Sequence, residues 1–406
     1  MKYRFPNIRH MRVFLETADC GSVSVAAQRC NLSQPAATQA IKQLETQFNT
    51  SLLTRRRKRI TLSVCGTLFS VRARVAMHHL NEGAEAALRV AGNKTRSRST
   101  FALSTTSAQL RSLMSLANTG SFSVSARTLK RSQPTVHRTA RNLEAIAGVT
   151  FFVASSSGVR LTPAAEAFVK GAKLAWSELQ QAKQEINVEL GQGSSTFVLG
   201  SLPLARTLIV PKAIHAMVST IDGVQIQVVE GRYAELLRSL REGEIDCMIG
   251  ALRHPAPADD VTQEMLFSDS LSIIAHSKHP LAGKPNLCLE DTLSYPWMAP
   301  PRDTPAGQYL FDTLRIQDRP QTPVRAVSSS MAILRGVLAE GNYVSIVSRH
   351  QIQIDEEFGS IARLDIPLEG HTREIGLTYR SGWRPTKTQA KFIQYLRKFS
   401  SPAIQE

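Results

Sequence analysis

Apolar residues recur along the first half of the chain at helical spacing, and the helices they mark come in short groups. Met11, Phe14, Leu15 and Ala18 form one stripe that stops near Gly21, so a first helix is expected to end there. Ser22 then opens a short second helix containing Val25, Ala26 and Ala27, and Asn31-Leu32 makes a tight turn. Ser33 is placed to cap a third helix with Pro35 in its first turn, where a missing N–H costs nothing. Along that helix Ala37, Ile41, Leu44 and Phe48 face inward at spacings of four, three and four, which leaves Gln34, Pro35, Thr38, Gln39 and Lys42 facing out. Two helices joined by a tight turn, the second polar and basic outward, form a helix-turn-helix, whose second helix enters the major groove of DNA.

The same design returns 99 residues later. Gly21-Ser22, Ser33-Gln34-Pro35 and Leu44-Glu45 recur as Gly120-Ser121, Ser132-Gln133-Pro134 and Leu143-Glu144, and Leu62 and Phe69 answer to Leu161 and Phe168. An unbroken offset of this length marks two copies of one folding unit. In the second copy Val136, Ala140, Leu143 and Ala147 point inward, and Gln133, Pro134, His137, Arg138 and Arg141 point outward. Glutamine can pair with adenine and arginine with guanine, so both outer faces can read bases, though not the same ones.

After each third helix an apolar pair (Leu52-Leu53, Phe151-Phe152) and a strand-like stretch (Arg59 to Leu62, Val159 to Leu161) predict a β-wing. The first wing carries Arg55, Arg56, Arg57, Lys58 and Arg59 in succession; the second has Ala154-Ser155-Ser156-Ser157-Gly158. Five adjacent cations suit backbone phosphates and steeply salt-dependent binding, so the first head is expected to be the main DNA contact. A long helix follows each wing. Phe168, Ala172, Ala175, Leu179, Ala182 and Ile186 make a coiled-coil-like seam expected to pair subunits; Phe69, Ala73, Ala76, Leu80, Gly83 and Ala87 make a poorer one that serves equally inside or between chains.

Charge reinforces this division. Residues 1–99 hold 17 Lys/Arg against 5 Asp/Glu, residues 100–198 hold 10 against 5, and the remainder 22 against 23, within a total of +16. A basic front and a neutral back place a polyanion partner at the front. The five cysteines form no CxxC pair and no zinc-spaced cluster, and their odd number argues against a disulfide framework, as in a reducing cytoplasm. No stretch reaches the length of a membrane span and Met1 to Arg12 has no signal-like apolar core, so a cytoplasmic location is expected, with no membrane partner.

Gly-Ser-x-Ser-x-x-Ala at 21–27 and 120–126, Ser-Gln-Pro opening each recognition helix, and Arg-Leu-Thr-Pro at 160–163 closely resemble the winged helix-turn-helix of LysR-type transcriptional regulators. The resemblance implies DNA contacts by Gln34, Pro35, Thr38 and Gln39 in one copy and Gln133, Pro134, His137 and Arg138 in the other. It departs from the family in carrying two heads, and in a first wing unlike Arg160 to Thr162.

From Ser195 the pattern turns to short strands separated by helices: Phe197–Gly200, Val224–Glu230, Asp246–Gly250, Leu271–Ala275, Val324–Val327, Val344–Val347 and Ile375–Tyr379, with helices at Ala205–Ser219, Ala234–Glu242 and Met331–Glu340. Alternating strands and helices make α/β units whose ligands bind beyond the strand C-termini. Val228-Val229-Glu230-Gly231, Leu236-Leu237 and Gly243-Glu244-Ile245-Asp246 resemble the effector-binding domain of the same regulators, which is similar to a periplasmic binding protein. That resemblance implies two lobes with chain crossings near Leu266–Asp269 and Asp365–Thr372. It also implies a cleft lined by Ser201, Leu202, Pro203, Gly231, Arg232, Leu252 and Arg253 on one lobe and Pro301, Arg302, Ser329 and Ser330 on the other. Serine hydroxyls and guanidinium groups suit a small carboxylate or phosphate.

The expected architecture is multidomain: winged helix-turn-helix units at 1–66 and 100–165, linker helices at 67–99 and 166–194, and an α/β two-lobed effector domain at 195–406, with lobes about 195–267 plus 368–406 and 268–367. The back half contains no G-x-S-x-G elbow, no HExxH and no recognisable carboxylate pair, so no enzyme activity, catalytic residue, metal or cofactor is expected. The expected function is ligand-responsive transcription regulation in bacteria. Expected partners are double-stranded promoter DNA, a small effector, and RNA polymerase if transcription is activated, with the chain a homodimer or homotetramer. Two alternatives are a weakly specific DNA-structuring protein, and a regulator whose second head serves only oligomerisation. A dimer would carry four heads, the first gripping DNA and the second mainly pairing subunits.

Overall fold

The computed structural model describes residues 5–56, 59–93, 98–156, 158–193, 195–319, 323–370 and 372–400, and two compact units divide the chain near residue 196. The first unit contains both copies of the repeat. Copy one runs α1 (Ile8–Cys20), α2 (Val23–Arg29), α3 (Gln34–Phe48), a hairpin of β1 (Leu53–Arg56) and β2 (Arg59–Leu62), and a 27-residue α4 (Val64–Val90). Copy two begins with an added short helix, α5 (Arg98–Ser104), and then repeats the order as α6 (Ser107–Thr119), α7 (Phe122–Leu129), α8 (Gln133–Ala147), β3 (Phe152–Ser155), β4 (Gly158–Leu161) and α9 (Pro163–Glu189).

The repeated sequence signals have repeated structural jobs. Gly21 and Gly120 end α1 and α6 with φ of 69° and 59°, a left-handed conformation that favours glycine. Their carbonyls accept the Ile60 and Val159 backbone N–H groups at 3.1 and 2.8 Å, so the same turn anchors the returning strand of each wing. Ser22 and Ser121 cap α2 and α7, accepting from the Val25 and Val124 N–H groups. Ser33 caps α3, whereas Ser132 makes no such bond to α8 and pairs its hydroxyl with that of Thr135 at 2.8 Å. All eight inward positions expected on the third helices are buried.

Glu45 and Glu144 have a role that spacing alone does not reveal. Glu45 Oε1 accepts from the backbone N–H of Leu52 and Leu53 at 2.9 and 3.2 Å, and Glu144 Oε1 accepts from Phe151 and Phe152 at 2.8 and 3.0 Å. Each glutamate thus ties the recognition helix to the start of its wing.

The seams of α4 and α9 face each other within the one chain. Every residue expected in either seam is buried, and a single apolar core runs through both heads and both long helices, with Phe14, Phe69, Phe101, Phe151 and Phe168 fully buried in it. The α9 seam, expected to pair subunits, is covered by α4. The helices run antiparallel: Gly83 meets Gly171, while Arg72, earlier on α4, reaches Glu178, Gln181 and Glu185, later on α9.

The second unit has two lobes, each built on a five-stranded sheet. The first sheet has the order β6-β5-β7-β14-β8, from β5 (Thr196–Ser201), β6 (Gln225–Glu230), β7 (Cys247–Ala251), β8 (Val261–Asp269) and β14 (Arg373–Arg380). Its helices are α10 (Ile209–Val218), α11 (Tyr233–Arg241) and α15 (Lys387–Ser400). The second sheet, β11-β10-β12-β9-β13, uses β9 (Leu271–His276), β10 (Trp297–Ala299), β11 (Val324–Val327), β12 (Val344–Ser348) and β13 (Ile361–Arg363), with α12 (Pro305–Gln308), α13 (Met331–Glu340) and α14 (Arg349–Glu357). The stretch Leu266–Asp269, expected as a crossing, is the end of strand β8; the chain changes sheet just beyond it, between Asp269 and Leu271. The expected helix over Ala205–Ser219 splits into a 3₁₀ turn at Pro203–Arg206 and α10.

Candidate DNA interface and effector cavity

The third helices present their outer faces to solvent. Gln34, Pro35, Thr38, Gln39 and Lys42 on α3 are exposed, as are Gln133, Pro134, His137, Arg138 and Arg141 on α8. Exposure follows from the pattern: the inward positions of each helix are consumed by the core, which leaves these residues on the outer face. In the second head several of these side chains already have partners. His137 packs its ring against Phe122 at 5.0 Å, Gln133 Oε1 accepts from the Ser123 hydroxyl at 2.9 Å, and Arg141 pairs with Glu144 at 2.7 Å. In the first head the Thr38 hydroxyl donates to the Gln34 carbonyl at 3.0 Å. Arg55 and Arg59 are exposed on the first wing hairpin; the Arg56 side chain, Arg57 and Lys58 lie outside the described residues.

The two long helices hold an uncommon buried ion cluster. Arg72 donates to Glu178 at 3.0 Å, to Gln181 at 2.7 Å and through Nε and Nη2 to Glu185 at 3.0 and 2.7 Å, and its side chain is only 5% exposed. Burial works against the Arg72 charge; the bonds and attraction of Glu185 and Glu178 more than offset it, so its pKa moves upward.

In the second unit, a cavity of about 290 Å³ lies between the lobes. Leu202, Pro203, Gly231, Arg232, Arg253, Pro301, Ser329 and Ser330 line it. Three expected residues do not. Ser201 is fully buried at the end of β5 and its hydroxyl donates to the Leu202 carbonyl; the Leu252 side chain turns toward Gly376; Arg302 reaches away to pair with Asp312 at 2.8 Å. In each case the backbone position is next to the cleft, but the side chain leaves the other way, a choice fixed by strand pleat and loop path.

Several lining residues carry no local sequence signal. Tyr233 opens α11, and its hydroxyl is buried without a hydrogen-bond partner among the described residues. Burial raises its pKa, an effect that nearby Arg253, stacked over the ring at 4.9 Å, opposes. Arg373, from the other end of the chain's second segment, also lines the cavity. It starts β14 opposite Asp269, the last residue of β8, and donates to Asp269 Oδ2 at 3.1 and 2.9 Å, while Ser348 donates to Oδ1 at 2.7 Å. Asp269 is almost completely buried, so both chain crossings and the second lobe meet at one satisfied carboxylate. Ser330 caps α13 and Tyr233 begins α11, so each lobe brings one helix N-terminus to the cavity wall. Convergent guanidinium groups and helix N-termini favour an anion.

Among the described residues no cluster of three His, Cys, Asp or Glu could hold a metal ion, and no helix is long and apolar enough to cross a membrane. Burial pushes the Cys247 thiol well above its ordinary range, the opposite of an activated nucleophile.

Known proteins agree with this reading of the two units. The LysR substrate binding domain matches residues 190–401, and the bacterial regulatory helix-turn-helix protein, lysR family, matches twice, at 8–67 and 107–166. The HTH-type transcriptional regulator GalR of Pseudomonas putida is 28% identical over 377 residues, 93% of either chain. The HTH-type transcriptional regulator PcaQ of Agrobacterium fabrum is 28% identical over 290 residues, 93% of its own length and 71% of this one. A full-length OxyR variant from Pseudomonas aeruginosa shares the fold at a TM-score of 0.51 and 23% identity, over 93% of that chain and 72% of this one. The two shorter matches leave room for a further head. The chain therefore belongs to the LysR family of bacterial helix-turn-helix regulators, as an effector-regulated DNA-binding transcription factor whose helix-turn-helix domain occurs twice.

Proposed function

We propose that this regulator grips promoter DNA with the outer faces of α3 and α8 and with the basic first wing, and that a small anion in the interlobe cavity sets its activity. The observation that carries the effector half is the cavity wall. Arg232, Arg253 and Arg373 line one space with two helix N-termini, against Asp303 as the lone carboxylate among the lining residues. Its volume sits at the low end of the ~300–1,000 Å³ usual for small-molecule sites, so a compact carboxylate or phosphate ester fits better than a large cofactor. The Tyr233 hydroxyl supplies an uncommitted donor for it.

A ligand that binds the closed arrangement of the lobes better than the open one shifts the protein toward it, and any change in DNA affinity is matched by an equal change in effector affinity. Contact with RNA polymerase, a cytoplasmic location and assembly into homodimers or homotetramers belong to the same reading. A thermal-shift screen of small acids and phosphate esters tests the effector half: an anionic hit whose stabilisation disappears in Tyr233→Phe and Arg253→Ala supports it, and hits confined to neutral compounds would sink it. Binding to the regulator's own promoter region is expected to exceed binding to random DNA at ~150 mM salt; equal binding to both would instead favour a DNA-structuring protein.

A further inference from the structure

We propose that one chain carries a complete and deliberately asymmetric DNA-reading pair: its two heads, inverted about the α4–α9 contact, read two different half-sites in inverted orientation. This rests on the reading of α3 and α8 as DNA-reading helices. The inversion comes from the register of the long helices. Gly171 is the copy-two counterpart of Arg72, and Ala182 the counterpart of Gly83, by the 99-residue offset. Gly83 touches Gly171, while Arg72 is gripped by residues around Ala182. Exchanging the copies therefore maps one contact onto the other, which is the signature of an approximate two-fold axis. Packing at the heads obeys the same exchange. Phe5, ahead of the first head, packs its ring on Trp176 of α9, in the second copy, at 5.0 Å, and α5, ahead of the second head, packs on α4 of the first copy.

The pairing is built to be between unlike helices. Two copies of α9 in this register would bury Glu178 and Glu185 with Gly171 in place of Arg72, leaving carboxylates without a cation on both sides. Two copies of α4 would offer Arg72 only His79, Glu82 and Ala86 where it now has Glu178, Gln181 and Glu185, and would set its side chain against Gly83. At the other end Gly83 and Gly171 approach so closely that a Cβ on Gly171 would stand 2.5 Å from the His79 carbonyl oxygen and 2.8 Å from Gly83 Cα. An unpaired buried charge is a strong bar to the wrong partner. The helices thus select the intrachain pair over pairing through a second copy.

Two-fold heads read a two-fold site, and protein symmetry is mirrored in operator symmetry. Here the symmetry breaks at three of the five solvent-facing residues: Thr38 answers to His137, Gln39 to Arg138 and Lys42 to Arg141, whereas Gln34 and Pro35 recur as Gln133 and Pro134 and the buried positions keep their apolar character. Different donors select different bases, so the preferred DNA is an inverted pair of unlike half-sites at fixed spacing.

Selection of the full-length protein on a random-sequence DNA library, followed by sequencing, tests this. The expected product is two unlike half-sites, inverted and at one spacing, with about 5- to 150-fold weaker binding for a mismatch in either. His137→Ala with Arg138→Ala is expected to erase preference in one half-site alone. His137→Thr with Arg138→Gln, which gives both heads the same pair, is expected to make the selected site more palindromic. Both changes fall on exposed positions, and circular dichroism with thermal melting checks that the fold is kept. A palindrome or direct repeat from the wild-type protein, or a single half-site unaffected by changes at His137 and Arg138, overturns this inference while leaving the regulator reading intact. No enriched sequence at all overturns both.

Discussion

At the scale of single residues, Arg72 ties the two long helices of the first unit together. Its guanidinium group satisfies two nearly buried glutamates, and removing one partner of such a cluster leaves the others charged and dry. Arg72→Met is expected to lower unfolding stability by about 3–5 kcal/mol, measured by urea denaturation; a loss below ~1 kcal/mol would mean that water reaches the carboxylates. Glu144 is the second such residue, because one oxygen accepts two backbone N–H groups at the start of the wing. Glu144→Ala is expected to cost about 2–3 kcal/mol and to raise amide exchange first at Phe151 and Phe152, since bonds to a charged acceptor are worth more than neutral ones. Neither role is visible in periodicity. Glu144 and Glu45 stand out in the sequence only as part of a repeated Leu-Glu pair, and nothing local says that their carboxylates turn back to a wing seven residues on.

Elements were far more legible. The 3.6-residue stripes of α1, α3, α4 and their copies are one-dimensional records of a buried face, so those helices follow directly from the order of residues. The wings follow from apolar pairs and turn residues, and most effector strands from short β-branched runs. The strands that escape such a reading do so for physical reasons. Strand β8 is long but only half-buried, with polar Gln263, Glu264 and Ser268 along it, and its apolar signal is diluted below that of its neighbours. Strands β10 and β13 have three residues each, too few for any period to register. Packing between elements supplies the next test. A methyl group on Gly171 gains roughly 1 kcal/mol of helix propensity but collides with main-chain atoms that cannot swing aside. Gly171→Ala is therefore expected to lower the thermal midpoint, whereas an equal or higher midpoint would show that the helix pair can slide apart without penalty.

Across the whole molecule, charge and titration give the observable trends. The first wing lies in the strongly basic segment, so Arg55→Ala with Arg59→Ala is expected to weaken DNA binding on every sequence and to reduce the slope of log K against log salt by about 0.9 for each phosphate no longer neutralised. Gln39→Ala is expected to relax preference at one base position with the salt slope unchanged. Acid stability is set in part by His279 and His350 in the effector unit. Burial lowers both pKa values; His279 also accepts the Leu281 N–H through Nδ1, and His350 stacks on Phe267 at 4.5 Å. The unfolded chain then takes up protons near pH 6.5 that the folded protein refuses, so stability is full above that pH and falls as pH drops from about 7 toward 5. Denaturant midpoints measured across that range check the sign, and His279→Gln should flatten the slope.

The repeat, both helix-turn-helix motifs, the charge division, the family resemblance and the α/β character of the second unit are legible in the order of residues, because each is written in spacing or composition. What those elements do to one another is settled by packing. A seam of Phe, Ala and Leu reads the same whether its partner is a second subunit or the next helix of its own chain, and the meetings of Arg72 with Glu178 and Glu185 and of Gly83 with Gly171 identify α4 as the partner of α9. Likewise Arg373 and Tyr233 reach one cavity from distant parts of the chain, while Ser201 and Arg302, beside it in sequence terms, turn away. Local patterns record which side of an element is buried; they carry no record of which surface buries it.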